Sequence, residues 1–199
     1  MELDRREFAG LSAVAATVAA AAVLPASATT AATQPWHRRV KRVFHINFNE
    51  LDPVAMDVAA YADLLASAKA QVTFLSVTGS VSFYPSKVPD FYPAAGLNGR
   101  DLFGECVTAL RQRNIRVVGR FSPDIVQLRA ADRHPDWFRR DKSGAISREG
   151  AGGGVLPPTY GETCQFTAYY DTQTPAIMRE LVARYDVDGL YTNGWPNTH

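Results

Sequence analysis

Cysteine and histidine are scarce in this chain of 199 residues, with only Cys106 and Cys164 and only His37, His45, His134 and His199. Two cysteines are too few for a disulfide framework, and neither they nor the scattered histidines recur at zinc-site spacing. The plain reading is two separate thiols, Cys106 lying on the apolar stripe of a helix where a thiol acts as a small hydrophobe. A Cys106–Cys164 disulfide is the alternative if the chain reaches an oxidising compartment. Charge of one sign is not in excess either: 21 basic residues face 20 acidic ones. That balance provides no electrostatic footprint for nucleic acid. The short run Arg38, Arg39, Lys41, Arg42 reads as a solvated lead-in to the first strand. No Gly-x-Ser-x-Gly elbow occurs, and the glycine-rich run at 150–154 follows no strand and precedes no Gly-Lys-Ser/Thr, which argues against a phosphate cradle. No cofactor and no metal are expected.

What is present begins with an export signal. Asp4-Arg5-Arg6-Glu7-Phe8 is followed by an alanine-rich apolar stretch to Leu24 and then Pro25-Ala26-Ser27-Ala28, the order of a signal peptide. Paired arginines with phenylalanine two positions on resemble the twin-arginine signal, and the small residues place cleavage after Ala28. The rival reading, an uncleaved anchor, needs roughly 20 strongly apolar residues, more than residues 8–24 supply. The expected organisation is therefore a signal over 1–28, a lead-in over 29–42 and one domain over 43–199. The mature protein is expected in the periplasm or outside the cell, with no membrane contact once the signal is removed.

From residue 43 the pattern alternates strands and helices. Val43-Phe44-His45-Ile46-Asn47-Phe48-Asn49 reads as a first strand, and Asp52-Pro53 as a cap and proline start for a helix striped by Val54, Val58, Tyr61, Leu65 and Ala68. Strand 72–77 follows. Asp101 caps a second helix carrying Leu102, Phe103, Cys106, Val107 and Leu110, with Asn114 suited to its end, and strand 115–121 comes next. Thr174-Pro175 again resembles a cap with proline, opening a helix striped by Ile177, Met178, Leu181, Val182 and Tyr185, before strand 187–192. The order β-α-β-α-β-α-β implies an α/β fold with parallel strands and right-handed crossovers.

Each helix returns to the next strand within one or two residues, whereas the segments 80–100 and 124–173 are long. Both follow strands, so they gather at the carboxyl ends of the sheet, where functional loops of parallel α/β folds collect. They and the residues just past the last strand carry Phe83, Tyr84, Phe91, Tyr92, Trp137, Phe138, Tyr160, Tyr169, Tyr170 and Trp195. Packing within the loops is the commoner use of such rings; a cleft for pyranose faces is the functional one. His45, Asn47 and Asn49 alternate along the first strand and share a face; His45 is equally read as a bonded core histidine or a substrate contact. Phe44, Ile46 and Phe48, with Leu190, are expected to point inward. Asp124, Asp136, Asp141, Glu149, Glu162 and Asp171 lie in the long loop, and the default for each is a solvated carboxylate.

Three segments carry a resemblance. Gly119-Arg120-Phe121-Ser122, then His134-Pro135-Asp136-Trp137-Phe138-Arg139-Arg140-Asp141 with Gly144, then Tyr185-Asp186-Val187-Asp188-Gly189-Leu190-Tyr191 resemble the hypothetical glycosyl hydrolase 6 family of glycosidase-like (β/α) barrels. More distantly, Leu190-Tyr191-Thr192-Asn193-Gly194-Trp195 is similar to the fourth-strand segment of α-L-fucosidases, which have an aspartate nucleophile where this chain has Asn193. The resemblance implies the N-terminal half of a (β/α)8 TIM barrel acting on O-glycosyl bonds, with carbohydrate as partner and His45, Asn47, Tyr84, Arg120, Trp137, Asn193 and Trp195 as the substrate-binding set. Asparagine cannot serve as a carboxylate nucleophile, so the catalytic residues remain unassigned, and Asp188 at the start of its strand takes a structural role. A complete barrel needs eight strands and about 250 residues. The expectation is therefore a truncated, inactive hydrolase, with a non-catalytic sugar-binding protein or a half barrel completed by self-association through its open edges as alternatives.

Overall fold

The computed structural model describes residues 34–77, 81–148 and 158–193. The signal segment, Glu149, Trp195 and the glycine-rich run lie outside them. Four parallel strands, β1 (Val43–Ile46), β2 (Val72–Ser76), β3 (Arg116–Phe121) and β6 (Gly189–Thr192), form one sheet in the order β1-β2-β3-β6. Around them run α1 (Trp36–Arg39), α2 (Asp52–Ala55), α3 (Val58–Ser67), α4 (Leu102–Arg111) and α5 (Thr174–Arg184). The long segment after β3 adds an antiparallel pair, β4 (Ile125–Gln127) with β5 (Tyr160–Glu162). Among the described residues no helix is long and apolar enough to cross a membrane.

The first crossover departs from the expected single helix. Met56 turns extended, at φ −68° and ψ 119°, and Asp57 starts a new helix by accepting the amide of Ala60. Asp52 instead closes a turn on the Asn49 amide, and Val54 is left exposed. At α5, Thr174 is not a cap. It has helical angles and donates its amide to the Tyr169 carbonyl, five residues back. Pro175, which has no amide hydrogen, follows this widened turn over Tyr169–Gln173, a local i→i+5 pattern that lets a helix accept an extra residue. The other ends follow local rules. Asp101 accepts the Gly104 amide, and Asn114 takes a left-handed φ of 58° while Ile115 N reaches back to Leu110 O, the residue type and conformation that close a helix.

Side chains alternate across the sheet, and α3, α4 and α5 cover one face of it. Phe44, Ile46, Leu75, Val77, Val117 and Phe121 point there, into a core shared with Leu65, Phe103, Cys106, Leu110, Ile177 and Leu181. Each fully buried aliphatic side chain of this kind is worth about 1.5–3 kcal/mol. This corrects the inward assignment of Phe44, Ile46 and Phe48: the first two face the helices, and Phe48 is buried edge-on against Phe83 at 5.2 Å. Cys106 lies in that core, its thiol pushed up to about 12 by burial. Cys106 and Cys164 are both free, so they do not pair.

The long segment after β3 builds its own small core from Val126, Ala130, Trp137, Phe138 and Tyr169. At the opposite, amino end of the sheet Asp188 accepts Val117 N at 3.0 Å and Arg116 Nη1 at 2.5 Å, which is the structural role expected of it.

Gly119 is where the helix layer presses closest on the sheet. A Cβ there would lie 2.9 Å from Leu181 Cδ2 and 3.0 Å from Val77 Cγ2, whereas one at Gly189 would meet nothing nearer than 3.7 Å. Gly119→Ala is expected to lower the unfolding free energy by about 1–3 kcal/mol and Gly189→Ala by less than about 1 kcal/mol. Denaturant melts of the two variants check this, and equal losses would contradict the close approach.

Candidate functional site

The sheet face turned away from the helices carries His45 on β1, Phe74 and Ser76 on β2, Val118 and Arg120 on β3, and Tyr191 on β6, since residues two apart share a face and the registers align His45 with Phe74, Phe74 with Val118, and Arg120 with both Ser76 and Tyr191. The rings confirm the grouping. Phe74 stacks on Tyr191 at 5.1 Å with the ring planes 27° apart, and His45 meets Phe74 edge-on at 6.2 Å. Tyr191 remains 40% exposed, and His45 and Asn47 are also exposed.

Charge on this face is unevenly compensated. Arg120 is only 7% exposed, yet its Nε has no hydrogen-bond partner, and among the described residues no carboxylate comes within ion-pair distance of it. Burial lowers its pKa, opposed by the nearby charge of Asp124. Asp124 stands three residues past the end of β3 with Oδ1 buried and unpartnered. Burial raises its pKa, the Asp124 backbone amide and Arg120 pull the other way, and Glu162 adds to the rise. Glu162 itself is 5% exposed, its Oε2 accepting Ser147 Oγ at 2.5 Å and Arg139 Nη1 at 3.1 Å. Neither residue is the solvated loop carboxylate that the chain position suggested, whereas Asp136, Asp141 and Asp171 are exposed. The position of Asp124 just beyond a strand's carboxyl end was the available signal for it.

Of the residues expected to contact substrate, the structure gathers His45, Asn47, Arg120 and Asn193 at the carboxyl end. Asn193 continues β6, donating its amide to Phe121 O at 2.8 Å. Burial and the charge of Arg120 lower the His45 pKa, and a side-chain hydrogen bond with Asn47 works against them.

Two of the residues expected to contact substrate are buried. Tyr84 has no exposed surface; it donates to Glu180 Oε2 at 3.0 Å and packs edge-on against Phe91 and Tyr185, because the loop after β2 folds back over α5. Trp137 is 4% exposed. It stacks on His134 at 3.8 Å with the rings 4° apart, and His134 Nε2 lies 3.0 Å from Asp90 Oδ2. Asp90 also accepts the Tyr92 hydroxyl and pairs with Arg133. The His-Pro-Asp-Trp segment thus builds the small core. Trp195 lies outside the described residues.

A cleft of about 550 Å³ runs between the loop after β2 and Arg129, whose guanidinium sits 3.6 Å over the Tyr92 ring. Neither His45 nor Arg120 lines it. Among the described residues no cluster of histidine, cysteine and acidic side chains is arranged to hold a metal ion.

The four-stranded parallel sheet with helices on one face makes this an α/β protein. Residues 57–194 match the family described as hypothetical glycosyl hydrolase 6, and the chain belongs to that family. The fold is similar to that of the α-L-fucosidase isoenzyme 2 from Paenibacillus thiaminolyticus, with a TM-score of 0.61 and 19% identity over 77% of this chain and 23% of that one. It is also similar to the noncanonic maltogenic α-amylase AmyB from Thermotoga neapolitana, with a TM-score of 0.54 and 15% identity over 79% of this chain and 40% of that one. The chain thus spans well under half the length of either enzyme. No curated protein sequence matches it.

The electrostatic link between His45 and Arg120 is open to direct measurement. His45 should titrate below its ordinary 6.5, staying neutral at neutral pH. In Arg120→Gln its pKa should move part of the way back up, since a lowering charge is gone while burial remains. NMR titration of the imidazole signals reads both values, and a His45 pKa unmoved by the substitution would separate the two residues.

Proposed function

We propose that the protein belongs to O-glycosyl chemistry on carbohydrates, as the N-terminal half of a (β/α)8 barrel whose sugar site lies beyond the carboxyl ends of β1, β2, β3 and β6. The observation that carries this reading is the one-sided helix layer. Doubly wound sheets place helices on both faces, whereas a barrel strand turns its second face to the barrel interior. Here that second face bears His45, Arg120 and the Phe74–Tyr191 pair. Family membership supports the same chemistry. Export by the twin-arginine route, with cleavage after Ala28, is part of this reading.

By itself the chain binds sugar without hydrolysing it. Glycoside hydrolysis uses two carboxyl groups flanking the scissile bond. Burial raises the Asp124 pKa, the direction that suits a general acid. Glu162 is committed to Arg139 and Ser147, and Asn193 offers a hydrogen bond where a fucosidase nucleophile would stand. Aryl glycosides should therefore show no measurable turnover, while monosaccharides at millimolar concentration should shift the His45 and Tyr191 NMR signals. Hydrolysis abolished by Asp124→Asn would overturn the non-catalytic half of this statement. Absence of any shift would overturn the sugar site.

Self-association is a second reading, favoured by surface at the open edges. Val43 on β1 is 48% exposed, and Leu190 and Tyr191 on β6 are 38% and 40% exposed, while each of these strands pairs on one side only. Free strand edges flanked by apolar side chains favour pairing with another chain. Size-exclusion chromatography with light scattering should show a dimer or larger species. A monodisperse monomer with a cooperative thermal transition would exclude it.

A further inference from the structure

Within the sugar site just proposed, and resting on that reading, Arg120 is an expensive residue for the fold to keep. Its guanidinium stem is buried, its Nε lacks an acceptor, and among the described residues it forms no ion pair. Other arginines of the chain are satisfied: Arg100 holds Glu105 and two carbonyls, Arg113 holds Asp63, and Arg139 holds Glu162. A buried charge without a partner is destabilising, and a neutral hydroxyl compensates a guanidinium far less than an anion does.

We propose that Arg120 receives the carboxylate of an acidic sugar, so that the site takes hexuronates in preference to neutral hexoses.

Three features agree with a carboxylate. The planar fork of a guanidinium matches a two-oxygen planar anion and can bind it through two parallel bonds. Tyr191, aligned with Arg120 across the β3–β6 register and 40% exposed, places an aromatic surface beside the fork for the apolar face of a pyranose ring. Burial raises the Asp124 pKa against the pull of Arg120, which weakens its repulsion of an incoming anion, and its buried Oδ1, without a partner, is open to a sugar hydroxyl. Burial and Arg120 lower the His45 pKa, which leaves Arg120 as the cation of this face that an anion meets.

Isothermal titration of the full chain with glucuronate, galacturonate, glucose, galactose and glucose 6-sulfate tests the assignment. Both uronates should bind at least tenfold more tightly than their neutral counterparts and more tightly than the sulfate ester, with affinity falling as salt rises. Arg120→Met should erase the preference while leaving the thermal midpoint unchanged or raised, because it removes an unpaired buried charge. Arg120→Lys, which keeps charge but loses the fork, should fold and lose most of the preference. A preference that survives in Arg120→Lys, or a midpoint lowered by several degrees in Arg120→Met, would overturn the proposal and make Arg120 a structural residue. Equal binding of the sulfate ester would overturn the carboxylate assignment. Neutral hexoses binding as tightly as uronates would sink the acidic-sugar preference but leave the sugar site standing, whereas no binding by any of the five would remove both.

Discussion

Along β2 and β3 every second side chain is driven against the helices: Leu75, Val77 and Val117 have no exposed surface and Phe121 retains 2%. The period of two leaves no choice for the residues between them. Once that apolar set fills the helix side, Phe74, Val118 and Arg120 must stand on the other face, together with His45 and Tyr191 from the flanking strands. The short returns from helix to strand reinforce this division, since each helix is held directly over the strand pair it connects. Gly119 adds to it by admitting Leu181 to the sheet where a side chain would hold the helix off. The placement of polar groups beyond the strands' carboxyl ends is thus a consequence of packing on the opposite side.

The loops at that end are not loose insertions. The segment after β3 has its own core, and its polar ties are specific: Thr163 donates Oγ1 to Pro123 O at 2.6 Å, and its amide reaches Asp124 O at 2.9 Å. These bonds hold the backbone on either side of the Asp124 carboxyl, while the carboxyl itself is left without a partner at Oδ1. Satisfied backbone around an unsatisfied side chain is the pattern expected where a fold gives up stability for a ligand. The same holds for Arg120, whose neighbours in the register, Ser76 and Tyr191, belong to a regular ladder.

The aromatic rings of the loops divide between these uses. Trp137, Phe138 and Tyr169 are spent on the small core, and Phe83, Tyr84 and Phe91 on the main one. Among the described residues, Tyr191 is the tyrosine left open on the sheet face, and it belongs to a strand. A cluster of aromatics in chain order was therefore a poor guide to a sugar platform, because most rings of these long loops go to packing the loops themselves, Phe166 at 83% exposed being an exception.

The alternation of strands and helices, the parallel order, the caps at Asp101 and Asn114, and the long segments at one end of the sheet were all legible in the sequence, because each depends on residues near one another in the chain: periodicity, turn chemistry and connection length. The motifs around Arg120, Trp137 and Asp188 likewise carried the family. The break at Met56–Asp57, the widened turn before Pro175 and the orientation of the first strand were decided by tertiary packing. In that strand Phe44 and Ile46 compete with His45 for the helix side, and the apolar pair prevails because a helix layer offers it burial while His45 and Asn47 keep contact with water. Burial also separated Asp124 and Glu162 from the exposed carboxylates of the same loop, and for Glu162 the partners Arg139 and Ser147 lie 23 and 15 positions away, where no local pattern brings them together.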